Sequence, residues 1–219
     1  MTLSERIKSD IGFLGDTLMP GPYQCYLCDE EDVIGEDGIC DNCRVKIRYL
    51  PNPTCLAPLD GITVGLQYSD EISSAVMRFK KNGQKEYAGF FTQYMSVPQE
   101  WKADILVPVP MHPLKKWLRR FNHTELLAAY LSQSTGIPYS SALLSKNRFS
   151  PEQKKLTDPA ERRRNVRGSF TAAPQVKGLR IVLVDDVFTT GATVYECAKT
   201  LKQKGAARVY LSAVASPSR

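Results

Sequence analysis

Long apolar runs are missing from this chain of 219 residues. No stretch approaches the roughly 18 consecutive apolar residues that mark a candidate membrane-spanning helix, so the sequence predicts that nothing spans a membrane. Residues 1–20 mix acidic with basic residues and contain neither an uninterrupted apolar stretch nor a small-residue cleavage site, which argues against a secretory signal. We therefore expect a cytoplasmic protein, in a compartment that keeps thiols reduced.

Histidine is also scarce, and the commonest phosphate-binding loop is missing. The two histidines, His112 and His123, are interpreted as surface or helix residues and receive no catalytic role. No G-x4-G-K-[ST] loop is present, which excludes a Walker-type phosphate site. The chain does contain 42% hydrophobic and 24% charged residues, which is enough apolar material for a packed core and excludes a disordered chain.

Charge is divided unevenly along the chain, although the formal net charge is only +6. Residues 1–43 hold 10 acidic and 2 basic residues, a balance of −8, and residues 44–219 hold 13 acidic and 27 basic residues, a balance of +14. The basic residues cluster at 115–120, with four basic and no acidic residues, and at 146–167, with eight basic and three acidic residues. Clusters of this kind favour a polyanionic partner over a merely solvated surface.

Four of the six cysteines follow the pattern C-x2-C-x11-C-x2-C, and they are Cys25, Cys28, Cys40 and Cys43. Two residues between thiols let both sulfurs of a tight turn face one tetrahedral ion, and in a cytosolic protein this spacing favours zinc over a disulfide framework. Protein fills all four positions, so the site is predicted to be structural and not catalytic. Cys55 and Cys197 have no second partner at ligand spacing and are interpreted as small apolar residues.

Beyond the cysteines, predicted strands alternate with predicted helices. The strands are expected at 62–69, 103–110, 139–146, 166–172, 180–186 and 207–215, and the helices at 70–83, 85–95, 122–136 and 191–205. Such alternation predicts a parallel α/β sheet covered on both faces. We therefore divide the chain into an N-terminal helix with the cysteine module, residues 1–50, and an α/β domain, residues 51–219.

A buried strand that ends in two adjacent carboxylates is the most informative feature of the chain. Residues 180–193 read RIVLVDDVFTTGAT, in which Asp185 and Asp186 close an apolar run and a turn rich in Thr opens a helix. Ligands of open α/β sheets bind beyond the carboxyl ends of the strands. Two like charges are costly there unless ribose hydroxyls or a cation meets them, and a helix N-terminus favours a phosphate. The pattern therefore predicts a site for a sugar 5-phosphate with free hydroxyls.

Residues 182–193, VLVDDVFTTGAT, resemble the phosphoribosyl pyrophosphate (PRPP) motif of type I phosphoribosyltransferases, which combines a hydrophobic strand, two acids and a T-T/S-G-x-T loop. More narrowly, the chain resembles the ComF family of competence proteins over roughly residues 20–215. In that family a four-cysteine zinc module precedes the PRPP-motif domain. The other motifs that carry the resemblance are MRFKKNG at 77–83, VPVPMHP at 107–113, RRFN at 119–122 and RRNVRGSF at 163–170.

The resemblance implies a type I phosphoribosyltransferase-like fold and assigns site residues within it. The two carboxylates would hold the ribose hydroxyls of Mg²⁺-bound PRPP, and residues 189–193 would surround its 5-phosphate. The implied PRPP site comprises Asp185, Asp186, Val187, Phe188, Thr189, Thr190, Gly191, Ala192 and Thr193, with Val109, Pro110 and Met111 in a loop on the pyrophosphate side. Residues 147–165 would match the mobile loop that closes over the ligand.

Two functions remain open from the sequence. The first is a competence protein that binds PRPP and handles incoming single-stranded DNA in the cytoplasm together with the ATPase or helicase that drives DNA uptake. The second is an active phosphoribosyltransferase that joins a base or related acceptor to PRPP, although no base-recognition motif is identifiable. The basic clusters favour the first, and the residues expected to contact DNA or another polyanion are Lys115, Lys116, Arg119, Arg120, Arg162, Arg163, Arg164 and Arg167. The sequence leaves the oligomeric state open.

Overall fold

A computed structural model describes residues 23–51, 53, 55, 57–82, 85–111, 121–147, 164 and 166–217. Its centre is a four-stranded sheet formed by β3 (Gly61–Gln67), β4 (Ile105–Pro108), β7 (Arg180–Val187) and β8 (Arg208–Ser216). The strand order is β3-β8-β7-β4, and all three pairings are parallel. The predicted parallel α/β architecture is therefore confirmed.

Helices cover both faces of this sheet because consecutive residues of its central strands are apolar and their side chains point to the two faces in turn. Val182 and Val184 of β7 pack on one face, and Ile181 and Leu183 pack on the other. The first face is covered by α2 (Asp70–Asn82), α3 (Lys85–Thr92) and α4 (His123–Thr135), and the second by α5 (Ala192–Gln203). Strands that are buried on both faces read as continuous apolar runs, as β7 does in the sequence.

Two of the predicted strands lie mostly outside the parallel sheet, contrary to the sequence-based expectation, although Tyr139 forms an isolated parallel bridge to Leu106 of β4. Within 139–146 and 166–172 the strands are only β5 (Leu144–Lys146) and β6 (Phe170–Ala172), and they pair with each other in antiparallel orientation. Phe170 and Ala172 are buried while Thr171 between them is exposed. This alternation is typical of a small antiparallel sheet with one face on the core and one face in solvent.

The N-terminal cysteine segment packs directly on the first face of the α/β domain. It contains β1 (Tyr23–Gln24) and β2 (Glu31–Asp32), which pair antiparallel, and the short helix α1 (Asp41–Arg44). Its buried residues form one apolar cluster with those of α2, α3 and α4. None of the helices in the described ranges is long and apolar enough to cross a membrane.

Candidate functional site

The carboxyl edge of the sheet brings together the two segments that the sequence linked to a sugar phosphate. β7 ends at Val187, just after Asp185 and Asp186, and the adjacent strand β4 ends at Pro108. The loop that follows β4 begins with Val109, whose N–H donates to the carbonyl of Val184 in β7 at 2.9 Å. The loop that contains Val109, Pro110 and Met111 therefore starts beside the end of β7, and its role on the pyrophosphate side stays a prediction.

The two carboxylates have different neighbours. β7 remains a strand through Val187, one residue beyond the pair, and the Thr-rich loop follows it. Asp185 is half-buried and faces α5, whereas Asp186 is buried and faces α2 and α4. The pair consequently consists of one carboxylate beside the Thr-rich loop and one carboxylate held inside the protein.

Asp185 lines a depression of about 40 Å³ at the start of α5. The remaining lining residues belong to the loop and the first turn of the helix, namely Val187, Phe188, Thr189, Gly191, Ala192, Thr193 and Val194. One water molecule takes about 30 Å³ in the liquid, so the depression accommodates a single small group such as a phosphate. Because the depression is open, the rest of a larger ligand would extend over the carboxyl edge of the sheet.

The loop geometry suits an anion. Gly191 precedes α5 with a φ of 73°, in the left-handed region, and a Cβ there would meet the ring of Tyr195 at 2.6 Å and that of Phe188 at 2.8 Å. The helix begins at Ala192, and the first N–H groups of a helix have no intrahelical acceptor. The hydroxyl oxygen of Thr190 is buried and has no hydrogen-bond partner among the described residues. The loop therefore presents polar groups that a phosphate satisfies.

Asp186 forms an ion pair with the ammonium group of Lys80 in α2. The imidazole Nε2 of His123, the first residue of α4, lies 3.6 Å from the same carboxylate oxygen, and the other oxygen accepts the N–H of Val187 at 2.8 Å. Burial by itself would raise the pKa of Asp186, but Lys80 and then His123 outweigh burial and lower the pKa below its usual range. Asp186 is therefore a buried, charged carboxylate.

Asp185 has the opposite electrostatic character. Burial, and then the negative charge of Asp186 beside it, raise the pKa of Asp185 well above the usual value for an aspartate. Its carboxylate accepts the N–H of Asp186 at 3.0 Å. A carboxylate held in this way gains from a ligand that donates hydrogen bonds or carries positive charge.

The sequence analysis missed Lys80 and His123 as members of this site. His123 was interpreted as a surface or helix residue, but only 8% of it is exposed and it faces the acidic pair. Lys80 belongs to the MRFKKNG motif that carried the family resemblance, which was the available signal. His112 lies outside the described residues, and so does the predicted closing loop 147–165 except at Asn147 and Arg164.

The four predicted zinc ligands converge. One ligand atom from each of Cys25, Cys28, Cys40 and Cys43 lies within 4.8 Å of the others, and the sulfurs of Cys28 and Cys40 are 3.9 Å apart. Zn–S bonds of about 2.3 Å place the sulfurs of a tetrahedral site about 3.8 Å apart, so the cluster has the dimensions of a four-thiolate zinc site. The sulfur of Cys25 also accepts the N–H of Cys40 at 3.4 Å, which orients that thiol.

The remaining two cysteines agree with their interpretation as small apolar residues. Cys197 is buried in α5 within the apolar cluster of the second face. Cys55 is half-buried and packs against the same cluster, and its thiol donates to the carbonyl of Leu59 at 3.1 Å.

Most of the predicted DNA-contacting residues lie outside the described ranges, namely Lys115, Lys116, Arg119, Arg120, Arg162 and Arg163. The two that are described, Arg164 and Arg167, line one depression of about 450 Å³ on the outer side of α5. We call this depression the α5 groove, and its other lining residues are Ala57, Pro58, Ala192, Tyr195, Glu196 and Lys199. Ala192 also lines the depression beside Asp185, so the two depressions adjoin.

The α5 groove combines positive charge with an aromatic ring. The sequence analysis had named Arg164 and Arg167, but it had not named Tyr195 or Lys199 as members of this surface. Arg164, Arg167 and Lys199 are exposed, so their charges are available to a ligand. Among the described residues of the lining Glu196 is the one acid, and its carboxylate accepts the N–H of Gly168 at 2.7 Å. With three cations and one acid among its described residues, the groove carries a net positive charge.

Comparison with known proteins agrees with this geometry. A family model described as "Phosphoribosyl transferase domain" matches residues 125–218, which include the acidic pair, the loop and α5. "DNA utilization protein YhgH" of Escherichia coli is 27% identical over 215 residues, covering 86% of this chain and 94% of that protein.

Two further relatives carry competence names. "Competence protein F" of Haemophilus influenzae is 24% identical over 212 residues, covering 84% of this chain and 92% of that protein. "Competence protein ComFC" of Bacillus subtilis is 28% identical over 187 residues, covering 84% of this chain and 73% of that protein. Together with the four-cysteine cluster, these similarities confirm the resemblance to the ComF family and the phosphoribosyltransferase-like fold.

Proposed function

We propose that this chain, which resembles the ComF proteins and carries a phosphoribosyl transferase domain, is a competence protein that binds PRPP and handles single-stranded DNA during DNA uptake. The observation that carries the proposal is the depression at the carboxyl end of β7, which is lined by the carboxylate of Asp185 and by the loop at the start of α5. The DNA part is supported by the competence and DNA-utilization names of the relatives and by the cationic α5 groove.

In this proposal the 5-phosphate of PRPP occupies the depression at the loop, where N–H groups of the first turn of α5 and the hydroxyl of Thr189, which lines the depression, meet its oxygens. The ribose hydroxyls donate to Asp185, which relieves the repulsion between the two carboxylates. The pyrophosphate then lies toward Val109, Pro110 and Met111, and Mg²⁺ neutralises it. Asp186, paired with Lys80, supports this arrangement from beside Asp185.

Zinc is the metal we propose for the cysteine cluster. Four thiolates in tetrahedral arrangement with no open position hold the ion as a structural element. The chain would then contain one structural metal and one metal that arrives with PRPP.

The proposed DNA contact is the α5 groove together with the basic residues near it in sequence. Arg164, Arg167 and Lys199 contact the phosphates of the strand, and the ring of Tyr195 offers a surface on which a base stacks. Since Ala192 lines both depressions, DNA in the groove would lie next to bound PRPP. A partnership with the uptake ATPase and a cytoplasmic location complete the proposal and rest on the family resemblance.

Calorimetry with PRPP in the presence and absence of Mg²⁺ tests the sugar-phosphate site. We expect binding that depends on Mg²⁺, with ribose 5-phosphate binding more weakly because it lacks the pyrophosphate. Absence of PRPP binding to the zinc-loaded protein would contradict the proposal. Release of pyrophosphate on addition of one of a panel of bases would favour the second candidate function, an active phosphoribosyltransferase.

Fluorescence anisotropy with a labelled single strand tests the α5 groove. We expect the triple variant Arg164→Ala, Arg167→Ala and Lys199→Ala to lose most of the affinity. The charge-matched control replaces three exposed lysines elsewhere, Lys81, Lys177 and Lys204, by Ala. Equal loss in both triple variants would mean that total charge, and not the groove, determines binding.

A further inference from the structure

The geometry of α2 points to a mechanical link between the cysteine cluster and the PRPP site. We propose that Arg78 and Lys80 are positioning residues, through which the zinc-bound segment holds the last turn of α2 in place and thereby fixes the partner of Asp186. Zinc binding and PRPP binding would then strengthen each other. The PRPP part of this proposal rests on the proposed function, whereas the positioning of α2 by zinc does not.

Arg78 attaches α2 to the turn between the first two cysteines. Its guanidinium donates to the carbonyls of Tyr26 at 3.1 Å and Leu27 at 2.6 Å, both of which lie between Cys25 and Cys28. The same group lies 3.5 Å from the carboxylate of Asp29. Two carbonyls and one carboxylate that contact Arg78 thus belong to the segment that a metal ion would organise.

The contact between the cysteine segment and the domain is also aromatic. The ring of Tyr26 stacks on Phe90 at 5.0 Å and meets the edge of Tyr87 at 5.1 Å, and both of these residues belong to α3. The guanidinium of Arg78 donates to the hydroxyl of Tyr87 at 3.0 Å. Arg78 therefore stands between the cysteine turn and α3, and a change in either one reaches α2 through it.

Lys80 carries the link from α2 to the sheet. It follows Arg78 by two residues, in the last turn of the same helix, and its ammonium group pairs with Asp186. Asp186 adjoins Asp185, and the charge of Asp186 raises the pKa of Asp185. If the last turn of α2 loosens, Lys80 leaves Asp186 uncompensated, and the two carboxylates repel each other at the site where ribose binds.

Loss of the metal is expected to loosen this turn. Small cysteine segments rarely keep their fold without the ion, because the metal supplies much of the folding free energy. Without a defined turn at 25–28, the two carbonyls and Asp29 no longer converge on Arg78. The buried residues of α2, such as Phe79, keep the helix in the core, so the expected change concerns its last turn and not its existence.

Coupling between two binding sites is reciprocal, which provides the first experiment. Zinc affinity is measured by competition with a chelator, with and without PRPP, on the full chain. For the natural sequence we expect PRPP to tighten zinc binding at least fivefold, which is the lower end of typical couplings. For Arg78→Ala we expect zinc to bind but the effect of PRPP on its affinity to disappear, with partial recovery in Arg78→Lys.

The matched control is Lys81→Ala, since Lys81 is exposed on the same turn of α2 and its loss leaves Arg78 and Lys80 unchanged. Lys81→Ala should keep the full coupling. If Arg78→Ala also keeps it, or if PRPP leaves the zinc affinity of the natural sequence unchanged, the coupling is refuted. If Arg78 had a purely structural role, Arg78→Ala would lower the stability of the protein equally with and without PRPP. The effect of PRPP on the zinc affinity would then remain.

Hydrogen exchange without PRPP separates this proposal from the proposed function. Removal of zinc should accelerate amide exchange at residues 78–82 while leaving the middle of α5 unchanged as an internal reference. Unchanged exchange at 78–82 overturns the positioning role. Accelerated exchange in a protein that does not bind PRPP would instead retain the link and overturn the sugar-phosphate function.

Discussion

At the residue scale, the two adjacent aspartates have different environments and different roles. Asp185 borders the open depression, and Asp186 is buried against Lys80 and His123. The sequence motif treats the two acids as equivalent ribose ligands. Their neighbours differ, because Asp185 lies beside the loop that precedes α5, whereas α2 and α4 bring Lys80 and His123 to Asp186.

Replacing each aspartate by Asn should therefore separate binding from stability. Asp185→Asn is expected to weaken PRPP binding without lowering the free energy of unfolding. Asp186→Asn leaves the charge of Lys80 without its partner, which should lower the free energy of unfolding by about 3 kcal/mol. Urea unfolding and calorimetry on the two variants provide the measurement. Equal stabilities would contradict the assignment of Asp186 as a buried counter-ion.

The pH dependence of PRPP binding should reveal the raised pKa of Asp185. The ionised carboxylate of Asp185 accepts hydrogen bonds from ribose hydroxyls at both of its oxygens, whereas the protonated acid carries a proton on one of them. The affinity for PRPP should therefore fall as the pH decreases through the pKa of Asp185 in the free protein. Because burial and the charge of Asp186 raise the pKa of Asp185, the loss should begin at a higher pH than for an ordinary aspartate. The phosphates of PRPP also titrate, so Asp185→Asn is the reference. If both proteins follow one pH profile, Asp185 does not titrate in the binding step.

At the element scale, the loop before α5 depends on a glycine for two separate reasons. Gly191 has a positive φ, and a Cβ would overlap the rings of Tyr195 and Phe188. Both reasons act on the same segment, which must remain in place for the first N–H groups of α5 to face the depression. The loop is therefore specified by packing as well as by backbone conformation.

Gly191→Ala can be compared with Gly136→Ala to distinguish these effects. Gly136 has the same φ of 73° at the end of α4, but nothing lies within 4 Å of a Cβ placed there. We expect Gly136→Ala to cost about 1 kcal/mol of stability through backbone strain alone. Gly191→Ala should cost more and should also weaken PRPP binding, as measured by thermal unfolding and calorimetry. Equal costs would mean that the two rings move aside freely.

The cysteine segment is the second element on which neighbouring structure depends, because it packs in one apolar cluster with α2, α3 and α4. Cys40→Ser should lose stoichiometric zinc and lower the melting temperature, because four thiolates on one ion contribute on the order of 10 kcal/mol of apparent binding energy. Metal analysis and differential scanning calorimetry measure both effects. A variant with full zinc content and an unchanged melting temperature would contradict the zinc assignment.

At the scale of the whole molecule, charge is distributed asymmetrically. In the sequence, the acidic residues of 1–43 accompany the cysteine segment, whereas the basic residues of 44–219 include the cations of the α5 groove. An extended polyanion such as single-stranded DNA would be directed toward the basic part and repelled by the acidic part. Affinity for DNA should accordingly depend on salt more than on base sequence.

Replacing Arg162, Arg163 and Arg164 together by Ala tests this dependence. Each phosphate neutralised on a single strand contributes about −0.7 to the slope of log K against log salt, so three lost contacts should flatten the slope by about two units. Anisotropy titrations at several salt concentrations give the slope directly. An unchanged slope would show that this arginine cluster does not contact the phosphates. Absence of any single-strand binding at low salt would raise the phosphoribosyltransferase candidate to first place.

The sequence by itself determined the features that depend on local pattern. The apolar run of β7 and the glycine at 136 that ends α4 predicted their elements to within one or two residues. The cysteine spacing predicted the cluster, because two residues between thiols suffice to bring both sulfurs to one ion. The motif 182–193 likewise predicted a strand that leads through a short loop into a helix, while the sugar-phosphate site itself stays a prediction.

Only the tertiary structure decided which distant residues complete the site. Lys80 and His123 are separated from Asp186 by 106 and 63 positions and meet it because α2 and α4 cover the same face of the sheet. The pairing of β5 with β6 was likewise decided by the tertiary structure. Both segments are short and have one apolar face, and such a pattern does not specify which strand will pair with which. Contacts of this kind depend on how helices and strands stack across the core, and no local pattern of residues records that arrangement.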